Sequence, residues 1–414
     1  NNAAALMTTG QQNIFVGDNA AAGAVVTGSS NVVVGDNAGY DLTSGSTNTA
    51  IGGSTLANTT TASNNTALGA AAMAANTTGA SNVAVGYNAL DANTTASNNT
   101  AVGYAALSAS ETTGQHTAMG HQALAQCTTG TNNTAFGSQA GTAITSGADN
   151  TFVGAYAGDA NTSGSYSTAV GTEALTLATT GGFNTAFGRH AATAVSTGAA
   201  NTAVGERSLA ACTTASNNTT LGQLSGLAIT TGYSTVMLGV SAGDTLTTGH
   251  NCIMIGHGSD VTATGSTHQM SISTGGGAAK GNSSAYISAG NGGVYAGNNS
   301  SSFSTTSDRR IKKNIEDNTK GLDAINQIRV RNFEYRKPDE IEELAPTDAV
   351  KKEGVQVGVI AQEIAEILPD VVKQESTGVY AVDTDHLTWY PINAVKELSD
   401  EVTALKEWKA QHDG

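Results

Sequence analysis

Basic residues are scarce in this chain: 18 Lys and Arg stand against 33 Asp and Glu over 414 residues, a net charge of −15. A nucleic-acid surface needs a basic footprint to neutralise phosphate, so no nucleic acid is expected as a partner. No apolar run reaches the length of about 18 residues that a membrane-spanning helix needs, so no membrane insertion is expected. Proline is down to 4 residues although glycine reaches 50, and glycine does not recur at every third place, which excludes a collagen-like chain. The histidines form neither a His-x-His array nor an HExxH pair. His116 and His121 therefore read as surface or turn residues, and neither a metal nor a cofactor is expected. The chain opens Asn1-Asn2 without Met, so an attachment or targeting segment is expected ahead of it.

What the chain does have is a phase. Fifteen glycines from Gly17 to Gly256 recur with one first step of 18 residues and then thirteen steps of 17. A fixed period of this length means one supersecondary unit stacked on itself. Asn usually stands four residues before the glycine (Asn31, Asn48, Asn65), Thr often three before, and Ala mostly two before. Directly before it is a large apolar residue, such as Ile51, Leu68, Phe136 or Val204. A small-then-apolar pair follows the glycine, as in Ala89-Leu90 and Ala106-Leu107, and then a Thr-Thr-Gly turn, as in Thr128-Thr129-Gly130. Runs this short suit strands rather than helices. The pattern predicts one coil per repeat, with two short strands and two turns, stacked in parallel about 4.8 Å apart. Glycine serves the bend, and Asn serves the local backbone and bonds to its own kind in the next coil.

Each coil is thin in apolar content, so a lone chain encloses little core. Three chains packed on their apolar faces would answer that, and a homotrimer is expected. Cys127, Cys212 and Cys252 lack metal-ligand spacing. Cys127 and Cys212 lie five coils apart, on the order of 24 Å, too far for a disulfide. All three read as small, half-buried hydrophobes. The Asn-Thr-Ala-apolar-Gly pattern followed by Ala-Leu resembles the heads of trimeric autotransporter adhesins over roughly residues 10–260. That resemblance implies a parallel β-roll.

Charge density divides the chain. Residues 1–306 hold three basic residues (Arg189, Arg207, Lys280) and 11 acidic ones, leaving 15 and 22 for residues 307–414. The end of the first segment, from about residue 257 to 306, is a Gly/Ser/Asn-rich stretch without the 17-residue phase. It has strand-like runs at His268–Ser273, Ala285–Ser288 and Gly293–Ala296. The expected architecture is therefore mainly β. It comprises a parallel β-solenoid of 17-residue coils in a homotrimeric rod (1–256), a β connector (257–306), and an α+β unit (307–414) that ends in a short coiled-coil helix (393–410). Val395, Leu398, Val402 and Leu405 carry the heptad spacing of that helix.

The C-terminal unit opens Ser307-Asp308-Arg309-Arg310-Ile311-Lys312-Lys313-Asn314-Ile315 and continues with Gly358-Val359-Ile360-Ala361-Gln362-Glu363, Leu368-Pro369 and Tyr380. These residues resemble the endosialidase-type intramolecular chaperone domain of phage tail fibres and tailspikes. The resemblance implies a domain that assists trimer folding and then cuts itself off. The scissile bond would be Thr306–Ser307, Ser307 the nucleophile and Lys312 the general base. Asp308 and Arg310 would support the geometry, and Asn314 would add support or an oxyanion contact. A serine hydroxyl needs a base, and a lysine can act as one once burial removes its proton. Such cleavage is a single self-directed turnover by a Ser-Lys pair, with no external substrate.

The leading functional expectation is a trimeric tail-fibre or tailspike protein of a virion. Its partners would be its own copies, other tail proteins, and a glycan or protein receptor on the host surface. The alternatives are a bacterial trimeric adhesin and, more remotely, a polysaccharide depolymerase or an ice-binding rod. Depolymerisation needs two carboxylates about 5–10 Å apart; the body's 11 acids are scattered, although Asp18 and Asp36 share the phase just after the glycine and could lie one coil apart.

Overall fold

The protein is described here from a computed structural model. It describes residues 3, 6–279, 281–289, 292–296, 309–342, 350, 352–375 and 378–412. The chain divides into two compact units, 1–306 and 307–414.

The first unit is a parallel β-solenoid. Fifteen strands of three residues run from β1 (Ile14–Val16) to β15 (Ile253–Ile255), one per coil. Each pairs with the next in strict register, as in Thr49↔Thr66, Ala50↔Ala67 and Ile51↔Leu68. At about 4.8 Å per coil the stack is on the order of 70 Å long.

One strand per coil, rather than two, is the first departure from the sequence reading. The second apolar pair is buried as expected, but its backbone is not extended. Leu90, Leu107, Leu124 and Leu175 sit at φ between +51° and +56°. This left-handed step turns the leucine inward while keeping coil-to-coil bonding: Leu90 N–H donates to the Ala106 carbonyl at 2.9 Å, and Leu107 N–H to that of Ala123 at 2.9 Å. Apolar spacing cannot tell such a ladder of turns from a strand, because both point every second residue inward.

The strand itself inverts the expected distribution of bulk. Its central residue, usually Ala, is sealed in the core with the leucines of the turn ladder. The threonine before it and the large residue after it both face out, because a strand alternates sides. Phe136, Phe187, Leu68 and Leu221 are each about half exposed, forming part of an outward apolar column. One chain therefore closes its own Ala/Leu core and leaves its larger side chains in water.

The glycine phase has a steric cause. Gly103, for example, has φ +136°, and a Cβ there would lie 2.3 Å from the Gly120 carbonyl oxygen of the next coil. The asparagine phase is a buried amide ladder. Asn48 Nδ2 donates to Asn31 Oδ1 at 3.1 Å and to the Ala62 carbonyl at 2.8 Å, and Asn31 Oδ1 also accepts the Asn48 backbone N–H at 2.9 Å. The threonines that open the Thr-Thr-Gly turns form a further ladder, with Thr230 Oγ1 donating to the Thr247 carbonyl at 3.3 Å.

His116 is not a surface or turn residue. It is buried in the asparagine ladder, where its Nδ1 accepts the Asn133 N–H at 3.2 Å and its Nε2 lies 3.1 Å from the Gly130 carbonyl. Its own N–H donates to Asn99 Oδ1 at 3.0 Å. An imidazole can replace the amide because it too offers one donor and one acceptor. His121 is exposed, stacked on Tyr104 at 5.3 Å. The three cysteines are free and fully buried rather than half-buried.

Past Gly256 the repeat is lost but the sheet is not. Strands β16 (Met270–Ser273) and β17 (Ala285–Ala289) extend it in parallel, making seventeen parallel strands. Strand β18 (Gly292–Ala296) then folds back antiparallel on β17.

The second unit is small and mixed. Helix α1 (Leu322–Gln327) precedes an antiparallel pair, β19 (Arg331–Phe333) and β20 (Gln356–Gly358). Helix α2 (Ala361–Ile367) leads to a second antiparallel pair, β21 (Val372–Gln374) and β22 (Tyr380–Val382). A short helix α3 (Thr384–Leu387) and the 23-residue helix α4 (Tyr390–His412) follow. Its core is Ile364, Leu368, Val371 and Tyr390. Leu368-Pro369 ends α2, since proline brings no N–H to continue it.

Candidate functional site

The motif that carries the expected chemistry is placed only in part. Thr306, Ser307 and Asp308 lie outside the described residues. From Arg309 the chain makes a single 3-10 turn, Arg309–Ile311, closed by the Lys312 N–H on the Arg309 carbonyl at 3.2 Å. Arg310, Lys312 and Asn314 all follow within this one exposed stretch. Asn314 takes φ +52°, a left-handed step that asparagine accepts better than most residues. Lys312, expected as the base, thus shares one short stretch with Arg310 and Asn314, while Ser307, expected as the nucleophile, lies outside the described residues. Lys312 is exposed in the single chain.

Downstream the segment is gripped by α4. Asn393 Nδ2 donates to the Asn318 carbonyl at 2.9 Å and to that of Lys320 at 3.3 Å. Leu322 N–H, the first donor of α1, bonds Glu397 Oε2 at 2.6 Å. Gly321 cannot cap α1 with a side chain, and Glu397 performs that task from 75 residues away. A Cβ on Gly321 would meet that carboxylate at 2.2 Å, so the grip requires glycine. Sequence spacing gave no signal for this contact, because neither partner belongs to a local pattern.

Glu363 takes a two-pronged contact from Arg331, at 2.7 and 3.2 Å, which ties α2 to β19. That hydrogen bond and the guanidinium charge hold the Glu363 carboxyl below its ordinary range. Tyr390 Oη donates to Asp370, which the same bond holds below the usual carboxylate range, and Lys320 stands 3.7 Å from Asp370. Helix α4 has a second, outward face. Val395, Leu398, Val402 and Leu405 are all exposed, in the predicted heptad order. At about 100° per residue this seam lies roughly 130° around the helix from Asn393 and Glu397.

In the solenoid, Asp18 and Asp36 are both exposed on one outward column, one coil apart. Among the described residues no group of three or more His, Cys, Asp or Glu side chains could hold a metal ion.

The fold thus defines a class: a long parallel β-solenoid followed by a separate small α+β unit. Residues 307–373 match the family model for the chaperone of endosialidase, so the chain carries that chaperone segment behind its solenoid. No solved structure matches the chain.

Proposed function

We propose that this chain is a trimeric tail-fibre or tailspike protein whose solenoid is the shaft and host-facing part. Its C-terminal unit directs assembly and then cuts the chain between Thr306 and Ser307. The observation that carries this reading is where the family match begins: at Ser307, the residue immediately after the proposed scissile bond. Two unpartnered apolar faces support the trimer, namely the outward column of the solenoid and the α4 seam. Apolar surface of this extent is normally covered by a partner. The phenylalanines that protrude from the column suit interdigitation with a second protein surface better than contact with a flat ice lattice.

The chemistry follows from the position of the nucleophile. Lys312, once buried by neighbouring protomers and neutral, takes the Ser307 hydroxyl proton. Ser307 Oγ attacks the Thr306 carbonyl carbon. The C–N bond breaks as the nitrogen receives a proton, leaving an ester between the Thr306 carbonyl and Ser307 Oγ. Water hydrolyses the ester to a Thr306 carboxylate and a free Ser307 amine. Cleavage thereby follows assembly, because only assembly buries the base. A long repetitive stack nucleates slowly and mis-stacks easily, which is why a separate unit to start it is useful.

The test is denaturing electrophoresis of the wild-type chain beside Ser307→Ala and Lys312→Ala. Wild type should give fragments of 306 and 108 residues, and both variants a single intact band. Hydroxylamine, which attacks esters, should speed the wild-type cut. Identical intact bands for all three chains would sink the proposal.

A further inference from the structure

A solenoid of near-identical coils faces a choice at each step of folding. A coil can stack on its neighbour in sequence, or the chain can extrude 17 residues and stack on the next coil instead. Where every coil is the same, the two contacts are equivalent. We infer that three coils of this solenoid are register keys, whose core residues fit only the coils beside them.

The first key is Phe152. It takes the strand-centre place that is alanine in most coils, and it is fully buried. In six coils the position four residues after the anchor glycine is a fully buried leucine, as at Leu107 and Leu124. Beside Phe152, in its own coil and the one before, that position is Gly158 and Gly141. A Cβ on Gly158 would lie 2.6 Å from the Phe152 ring, and one on Gly141 2.8 Å from it. Backbone conformation does not explain these glycines. Both have φ +59°, and leucines hold the same position in other coils at φ +51° to +56°. What differs is the space that the ring occupies.

Met237 repeats the device. It is fully buried at a strand centre between Gly226 and Gly243, where a Cβ would lie 3.0 and 2.5 Å from its Sδ. The third key is polar. Thr220 replaces alanine at a strand centre and shares a 2.7 Å hydrogen bond with Ser208 Oγ, which itself stands where most coils have alanine. Both side chains are completely buried.

Each key penalises a skipped coil. Extruding the coil that carries Gly141 would set the Phe152 ring against Leu124, an overpacked contact. Extruding the Phe152 strand would leave Gly141 facing Ala169, a cavity. A skip that separated Ser208 from Thr220 would lose the 2.7 Å hydrogen bond between their buried hydroxyls, which is the shortest that either makes beside the contacts to the Thr202 and Ser225 carbonyls at 3.2 and 3.4 Å. The keys thus serve fidelity of stacking along one chain, independently of the function proposed above.

A levelled full-length chain tests this. It carries Phe152→Ala, Gly141→Leu, Gly158→Leu, Thr220→Ala, Ser208→Ala, Met237→Ala, Gly226→Leu, Gly243→Leu and Met254→Ala, the last because a Cβ on Gly243 would also lie 2.9 Å from the Met254 methyl, so that each coil takes residues the other coils already use. A shifted-key chain carries Phe152→Ala, Gly141→Leu, Ala169→Phe and Leu175→Gly, which moves the first key one coil along. All chains are refolded from urea and mapped by hydrogen exchange and limited proteolysis. Wild type and shifted key should give one protection pattern. The levelled chain should give a mixture, with an unprotected 17-residue window and a several-fold higher mis-stacked fraction. A levelled chain that refolds as uniformly as wild type would overturn the inference. So would a levelled chain that does not fold while the shifted one does, because the keys would then supply stability and not choice.

Discussion

Replacing His116 by asparagine should remove an acid weakness from the solenoid. His116 is buried in a ladder of neutral amides, with Nδ1 accepting the Asn133 N–H and Nε2 facing the Gly130 carbonyl. Only the neutral ring tautomer with its proton on Nε2 satisfies both contacts. An imidazolium would turn a second N–H against that of Asn133. The nearest titratable side chain, Cys127, lies 3.7 Å from Nε2 and offers no counter-charge, since burial pushes its thiol up to about 11. Burial accordingly lowers the His116 pKa from its ordinary 6.5. The unfolded chain therefore binds more protons than the folded one just below pH 6.5. Stability from this group is complete above that pH and is lost as pH falls through the window below it, down to the folded pKa. The slope for one proton approaches about 1.4 kcal/mol per pH unit within that window. His116→Asn supplies the same donor and acceptor without a titrating group. Urea unfolding at several pH values from 5 to 7.5 should show wild type losing stability faster than the variant on the acid side. Parallel curves for the two proteins would refute the reasoning, whatever their absolute midpoints.

Three further outcomes follow from the same core. Asn150→Ala should cost on the order of 3 kcal/mol, because Asn150 bonds Asn133 Oδ1, the Gly164 carbonyl and the Ser167 N–H at once. Ser167→Asn, which fills a gap in that ladder, should instead raise the urea midpoint, and a lowered midpoint would contradict the ladder as described. Cys127 and Cys212, fully buried with thiols pushed up to about 11, should resist a thiol reagent at pH 8 in the native protein and react in urea. Rapid native labelling would show that the coils open far more readily than their packing implies.

The glycine and asparagine phases were legible in sequence because each reports a local backbone need that recurs in every coil. Gly103 must avoid the next coil's carbonyl, and Asn48 must feed the next amide, so the residue type is forced wherever the unit repeats. The C-terminal elements were legible for a similar reason. Helix α4 was readable from the heptad spacing of Val395, Leu398, Val402 and Leu405, which is a local signal. Less legible was which side of the strand faces in. A large residue directly before each glycine reads as core by hydrophobicity, yet Phe136 and Leu221 face water while small alanines are sealed. The motif at 307–315 could be read as chemistry, but the contacts of Asn393 and Glu397 with residues 318–322 could not, because they join partners some 75 residues apart.

The sequence by itself determined the period, the parallel stacking and the existence of a separate charged unit, since repetition and composition are properties of the chain. Only the tertiary structure decided that each coil has one strand, that His116 is a rung, and that Phe152 and Met237 are matched to particular glycines. Those facts depend on which side chains share a space across coils, and one-dimensional spacing does not encode shared space.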